Sequence, residues 1–474
     1  MSAPRSRSVF LCLPGLAAAL VLGGPAAPSA GAAVPAAAAT QDFNGDGYQD
    51  LVVGAPDGTV SGQAKAGYVT VMYGSAHGLA ASSHTLISRS TAGIPGAAVK
   101  GQGFGSDTSA GDLDGDGYSD LVVSGSHSAD SIVVRGGAGG LSGGYAVPGH
   151  GTHTATGDFN GDGHTDLLAV ATSDPVGDDP TGSDSEILYG PLSATGVPAS
   201  SEPFDDASVY NIYAVRTGDI NGDGRSDLAL TAYAGEGYSM SRLYLSTGTG
   251  LKRSAVSPPA IWDRSAGFTF GDLNGDGRDD LAFGNLGEGG TDVTIGYGTP
   301  AGLAPASDWV TITQDTPGVP GDGPKEPNDS EWQDAFGASL SAGDVNGDGI
   351  ADLAVGAPGE DIGATADAGY VTLLPGSTAG VTGRGAQAFS QDTAGVPGTA
   401  EAGDRFGSAV RLLDINGNGY ADLASAAVRE DGGNGAVWEL RGRPEGLVTD
   451  AALVFGPLAV GAPSAGAAFG HRLG

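Results

Sequence analysis

Short apolar runs recur along the chain, each placed between an aspartate-rich loop and a glycine turn. LVVGAP starts at Leu51 and LAVGAP at Leu353, both directly after an acidic loop. Their length and β-branched content predict strands rather than helices. A second apolar element follows in step and ends near a glycine turn. It reads YVTVMYGSAHGL (68–79), IVVRGGAGGL (132–141), ILYGPLSATGV (187–197), RLYLSTGTGL (242–251), VTIGYGTPAGL (293–303), YVTLLPGSTAGV (370–381) and VWELRGRPEGL (437–447). Another β-rich segment then precedes the next loop. Each repeat accounts for about four short strands, which is one blade, and propellers have ~4–8 blades. The predicted fold class is all-β, a seven-bladed β-propeller. Glycine, at 85 of 474 residues, sits largely at fixed offsets within the repeats, so turns explain it better than disorder.

The loops themselves are near copies. They read DFNGDGYQD (42–50), DLDGDGYSD (112–120), DFNGDGHTD (158–166), DINGDGRSD (219–227), DLNGDGRDD (272–280), DVNGDGIAD (344–352) and DINGNGYAD (414–422), with starts 70, 46, 61, 53, 72 and 70 residues apart. Self-similarity on this scale signals a repeat architecture. Oxygen-bearing side chains at positions 1, 3 and 5 converge when the chain winds tightly, and glycine at position 6 permits the turn, as in calcium loops. An EF-hand would need Glu at position 12, but that position is apolar here, as at Val53, Val123 and Val355. An aspartate at position 9 stands ready to close the coordination sphere instead. Turn chemistry alone accounts for Asn-Gly and Asp-Gly, but not for Asp at 1, 5 and 9 in loop after loop.

The expected ligands, for up to seven Ca2+ ions, are Asp42, Asn44, Asp46 and Asp50 in loop one and Asp112, Asp114, Asp116 and Asp120 in loop two. Loop three offers Asp158, Asn160, Asp162 and Asp166, and loop four Asp219, Asn221, Asp223 and Asp227. Loop five offers Asp272, Asn274, Asp276 and Asp280, and loop six Asp344, Asn346, Asp348 and Asp352. Loop seven, with Asp414, Asn416, Asn418 and Asp422, is the weakest, because Asn418 replaces an aspartate.

The net charge of −34 argues against nucleic acid or an anionic membrane as partner. With 40% hydrophobic residues the chain does not read as disordered. The 21 carboxylates at ligand positions carry much of the acidity, and seven divalent ions would bring it to about −20. Residues 1–32 have Arg5 and Arg7, an apolar run from Val9 to Leu22 and then small residues, which predicts a secretory signal peptide. Residues 33–40 read as a short linker and 41–474 as the propeller. The single cysteine, Cys12, falls inside the leader, so neither a disulfide framework nor thiol chemistry is expected after its removal. No later stretch is long enough for a membrane helix. The expectation is a secreted, extracellular monomer.

Phe-Gly before a loop (at 104, 336 and 406) and Gly-Ala-Pro after it (54–56 and 356–358) make the chain resemble the FG-GAP (VCBS-type) repeats of integrin α-subunit propellers and related secreted bacterial proteins. The resemblance covers residues 41–474, although repeats three to five lack the Phe-Gly pair. It implies a seven-bladed propeller with calcium in its loops and a role in adhesion or ligand recognition. The first repeat enters at QDFNGDG without a strand before its loop, while the chain ends on AAFGHRLG. The last segment is therefore expected to supply the missing strand and close the ring, leaving no open sheet edge.

HGTHTATG (150–157) is similar to the histidine segment of subtilisin-like proteases, but no matching serine segment follows. Neither a G-x-S-x-G elbow nor an H-E-x-x-H pair occurs, and the clustered aspartates are assigned to calcium. The reading is thus a non-enzymatic binding or adhesion module for an extracellular protein or glycan. The alternative is an enzyme on a propeller scaffold, a polysaccharide lyase or a hydrolase of phospholipase type. The expected binding face is the one opposite the calcium loops, where the variable segments 54–67, 172–186, 356–369 and 313–335 fall, with Trp332, Lys325 and Tyr238 as candidate contacts.

Overall fold

Leu51–Ala55 is buried at every position, as are Asp352–Ala357 and Asp422–Ala427. A strand without a solvent face has to lie inside a sheet that is covered on both sides. The computed structural model shows how this is achieved; it describes residues 41–170, 185–204, 211–235, 238–258, 267–287, 290–321 and 334–474, together with Met1, and excludes the side chains of 234–238 and 287–290. The expected signal peptide and linker fall, Met1 apart, outside the described residues.

Seven four-stranded antiparallel sheets form the blades of a propeller. Blade two shows the plan, running Phe104–Gly111, Asp120–Gly125, Asp130–Arg135 and Ser142–Pro148 in chain order from the axis outwards. The inner strands of the others are His153–Gly157, Ile212–Gly218, Phe268–Gly271, Ser339–Gly343 and Phe406–Leu413 in blades three to seven, and Arg472–Leu473 in blade one. These inner strands touch one another in a closed cycle around the axis. The apolar side chains form seven clusters among the described residues, one between each pair of neighbouring blades. Each second strand is therefore covered on both faces by flanking blades, which is why its sequence is continuously apolar.

Phe-Gly pairs lock one blade to the next. The Phe104 N–H of blade two donates to Ala66 O of blade one at 3.0 Å, and Phe406 of blade seven does the same to Ala368 O at 2.8 Å. The residue after each acceptor is Gly67 or Gly369, both left-handed (φ +80° and +90°), and a Cβ on either would stand 2.2 Å from the phenylalanine carbonyl oxygen. No other residue type fits this approach.

The same contact closes the ring. Phe469 N–H donates to Asn434 O at 3.0 Å, and Gly435, at φ +82°, would place a Cβ 2.3 Å from Phe469 O. The chain then pairs Arg472 with Gly54 and Leu473 with Val53, while Val52 and Gly474 exchange two N–H···O bonds of 3.0 Å. Phe469 and Gly470 thus act as the Phe-Gly pair of blade one, as expected from the sequence.

Deleting Ala468–Gly474 should expose the edge of Leu51–Ala55 and empty the Phe469 pocket. Such a chain is expected to aggregate in size-exclusion chromatography and to lose its single cooperative melt. A truncated protein that stays monomeric and melts with the full chain would refute closure as a source of stability.

Candidate metal loops

In blades two to seven the acidic loop joins the first strand to the second, and in blade one it leads into the second strand, Leu51–Ala55. Its first aspartate organises the turn. Asp42 Oδ1 accepts the N–H groups of Gly45 and Asp46 at 2.7 and 3.3 Å, and Oδ2 that of Gly47 at 2.8 Å. The pattern repeats at Asp112, Asp158, Asp219, Asp272 and Asp344. Asn44 Oδ1 accepts from Asp46 N at 2.9 Å, and Asp46 Oδ1 from Tyr48 N at 3.1 Å. Side-chain oxygens of positions 1, 3 and 5 are thereby gathered on the inside of one turn. In loop two an oxygen of each of Asp112, Asp114 and Asp116 lies within 4.8 Å of the others, and burial together with the neighbouring Asp116 raises Asp114 above the ordinary carboxylate range.

The ninth residue is buried and does two jobs. Asp50 is fully inaccessible; its Oδ2 accepts Phe43 N–H and its Oδ1 accepts Gly74 N–H, each at 2.9 Å. The same double acceptance recurs at Asp120, Asp166, Asp227, Asp280 and Asp352. This aspartate ties the loop to the turn that follows the third strand. Burial pushes Asp50, Asp120, Asp227 and Asp280 up to about 7, and Asp166 and Asp352 to about 6; the two N–H donors oppose the rise and the other loop aspartates add to it. A buried acid beside two further carboxylates lacks a counter-charge. The donor set is made of hard oxygens only, which suits Ca2+ or Mg2+ rather than a soft metal.

Neighbouring loops are linked edge to edge. Except between loops two and three, the carbonyl of position 1 accepts the N–H of position 8 in the next loop, as in Ser119 N to Asp42 O (3.0 Å), Ser226 N to Asp158 O (2.9 Å) and Ala421 N to Asp344 O (2.7 Å). With the same exception, the side chain of the seventh residue lies on the fourth residue of the loop before it. Tyr118 covers Gly45, whose φ is +73°, so closely that a Cβ there would stand 2.5 Å from the ring. The hairpin turns join the same face, since Ser75 N–H donates to Ile415 O at 3.1 Å and Gly137 N–H to Phe43 O at 3.0 Å.

Loop seven departs from this plan. Ile415 N–H donates to Leu413 O instead of to its position-9 aspartate. Asp422 Oδ2 receives Asn416 Nδ2 at 2.6 Å and lies 3.8 Å from Arg441 Nη1. Burial raises Asp422 to about 7 although Arg441 draws it down. Arg441 also pairs with the fully buried Glu439 at 3.3 Å. Glu439 Oε2 accepts Leu79 N–H at 3.1 Å, and Arg441 donates to His77 O, so the pair reaches into blade one. Sequence reading missed both residues. The signal was there: Glu439 occupies a strand position held by Val71, Val133, Ile187, Leu243, Ile295 and Leu373 in the other blades.

Trp332 and Lys325 lie outside the described residues, as does most of 172–186. Tyr238 begins the strand Tyr238–Ser246, and its side chain is likewise not described. On the face of the second turns, blade six carries an open cavity of about 490 Å³ lined by Glu360, Asp361, Tyr370 and Asp392.

The sequence matches the FG-GAP repeat over residues 33–72, 336–374 and 406–440, and the FG-GAP-like repeat over 109–169 and 219–283. Every acidic loop falls inside one of these stretches. Integrin alpha-PS5 of Drosophila melanogaster is 32% identical over 162 residues, 32% of this chain and 15% of that protein. Integrin alpha pat-2 of Caenorhabditis briggsae is 32% identical over 242 residues, 48% of this chain and 18% of that protein. Phosphatidylinositol-glycan-specific phospholipase D of Bos taurus is 36% identical over 92 residues, 19% of this chain and 11% of that protein. The chain thus spans under a fifth of the length of each relative.

Two outcomes test the loops. A cation held by groups whose folded values are raised competes with protons. Without metal, the stability these aspartates contribute is complete below their unfolded value of 3.8 and is lost as pH rises through about 7. The rise in melting temperature on adding calcium to chelated protein should therefore grow between about pH 4 and pH 7; an equal rise at every pH would count against the loops as its source. Each occupied site should add about 2.7 kcal/mol at a hundredfold excess over Kd. Asp46→Ala should remove most of one such increment, and Asn418→Ala much less.

Proposed function

The chain belongs to the FG-GAP repeat family, and on that premise we propose that it is an exported, calcium-loaded propeller that binds an extracellular protein or glycan. Asp, Asn and backbone oxygens of loops one to six would hold the cations, whose chemistry there is charge neutralisation rather than catalysis. The observation that carries this reading is the buried position-9 aspartate, repeated in blade after blade with its hydrogen bonds complete and its charge unbalanced. Metal-filled loops make one face rigid and uniform. The opposite face, with variable turns and the acidic cavity of blade six, is left to recognise a partner. The similarity to integrin α-subunits supports adhesion. The similarity to a phospholipase D covers a short stretch, and no catalytic constellation accompanies it among the described residues. The negative charge disfavours nucleic acid, and no helix among the described residues is long and apolar enough to cross a membrane.

Purified protein should be screened against extracellular matrix proteins and glycans with calcium and with chelator. Saturable, calcium-dependent binding without turnover is the expected result. Release of new unsaturated sugar ends, or cleavage of a phospholipid, would replace this reading with the enzymatic one. Against a glycan or protein found in this way, Trp332→Ala and Tyr238→Ala should weaken binding about tenfold with little change in the melt. Loss of binding on charge reversal in the hairpin 74–79, with both aromatic variants silent, would place recognition on the metal face.

A further inference from the structure

The outer surface is acidic, but the axis is not. Arg216, Arg411 and Arg472 stand on the inner strands of blades four, seven and one, which encircle the channel. They sense one another across it: Arg472 and Arg411 both act on Arg216, and Arg472 acts on Arg411. Among the described residues, Asp107 on the inner strand of blade two is the carboxylate that faces them. It is already engaged, with Oδ1 3.3 Å from Arg472 Nη2 and Oδ2 3.2 Å from His153 Nδ1. Burial alone would raise Asp107, but Arg472 and His153 hold it down at about 2.

Among the described residues the other two arginines have no carboxylate within ion-pair distance. Arg411 Nη2 donates to the neutral Gln41 Oε1 at 3.1 Å, and the guanidinium of Arg216 lies 5.4 Å above the Phe268 ring with Nη1 donating to Val215 O. Arg411 Nε and Arg472 Nε are buried without an acceptor. Burial, and then the neighbouring Arg472, push Arg216 down to about 9 and Arg411 to about 10. A guanidinium does not give up its proton in a protein, so both groups stay charged although burial, and then a neighbouring arginine, disfavour the charge. Among the described residues, three guanidinium groups against one carboxylate leave the channel at +2 in a chain of −34.

We propose that the axial channel is an oxyanion site in which Arg216, Arg411 and Arg472 hold a tetrahedral, doubly charged group of the sulfate type, free or as an ester on a saccharide. Donors approaching from three blades suit a tetrahedral acceptor better than a planar carboxylate, and its charge matches the excess. Planar guanidinium groups give such an ion directed, charge-assisted hydrogen bonds. The site is independent of the calcium loops and draws on none of their residues.

The test is calorimetric titration of the full, calcium-loaded chain with sodium sulfate at constant ionic strength, with sodium chloride as control. The constant ionic strength and the variants separate binding from the general stabilisation that sulfate gives any protein. Saturable heat is expected, weakened at least about tenfold in Arg216→Gln and in Arg411→Gln. Arg411→Lys, which keeps the charge and loses the fork, should fall between. An O-sulfated disaccharide that competes with sulfate, when its desulfated form does not, assigns the site to an ester; sulfate binding without such competition assigns it to the free ion. No saturable heat with wild type, or equal heat in folded Arg411→Gln, overturns the proposal.

Discussion

A buried carboxylate at the ninth position of each loop is the constraint around which the repeat is built. In blades one to six it accepts one N–H from its own loop and one from the turn after the third strand. Two segments more than twenty residues apart are therefore held in register by a single side chain. The arrangement costs desolvation of a charge, which two amide donors only partly offset. A cation within the loop would offset the rest. In blade seven a guanidinium stands near the aspartate, so that blade can fold around a charge supplied by the protein itself.

Blade-to-blade contacts follow from the same economy of space. The loops join through backbone bonds from position 8 to position 1, and the seventh side chain fills the space over the fourth residue of its neighbour. At the other end of the sheets the Phe-Gly pairs dock against a glycine of the preceding blade. Where both sets occur, at the entries to blades two, seven and one, they hold the interface at top and bottom with an apolar cluster between them. Closure adds nothing new in kind: Phe469 meets Gly435 as Phe104 meets Gly67. At that seam the Glu439–Arg441 pair stands in for the tyrosine contacts found elsewhere, such as Tyr73 Oη accepting Leu141 N–H at 3.0 Å.

Opposite charges occupy different parts of the fold. Carboxylates concentrate in the loops of one face, and arginines of three inner strands concentrate on the axis. Asp107, tied to both Arg472 and His153, also links blades one, two and three across the closure point.

The repeat, the strand content and the closing strand were legible in the sequence. Each of these rests on residues close together in the chain: the nine-residue DxNGDG loops, the runs such as LVVGA, and the Phe-Gly pairs. Repetition made them legible, because one local pattern shown seven times separates rule from accident. The tertiary structure alone decided which groups meet across blades. Arg216, Arg411 and Arg472 lie far apart in the chain and share no motif, and His153 stood out only as part of a segment similar to that of a protease. The double role of Asp50 and its counterparts was also hidden, since position 9 reads as a plain ligand until Gly74 is brought to it. Glu439 could have been noticed as an acid in an apolar register, but its partners Arg441, Leu79 and Asp422 converge only when the ring is closed. Local sequence fixes turns and strands through backbone sterics and side-chain periodicity, whereas charges pair according to distances that only the closed ring defines.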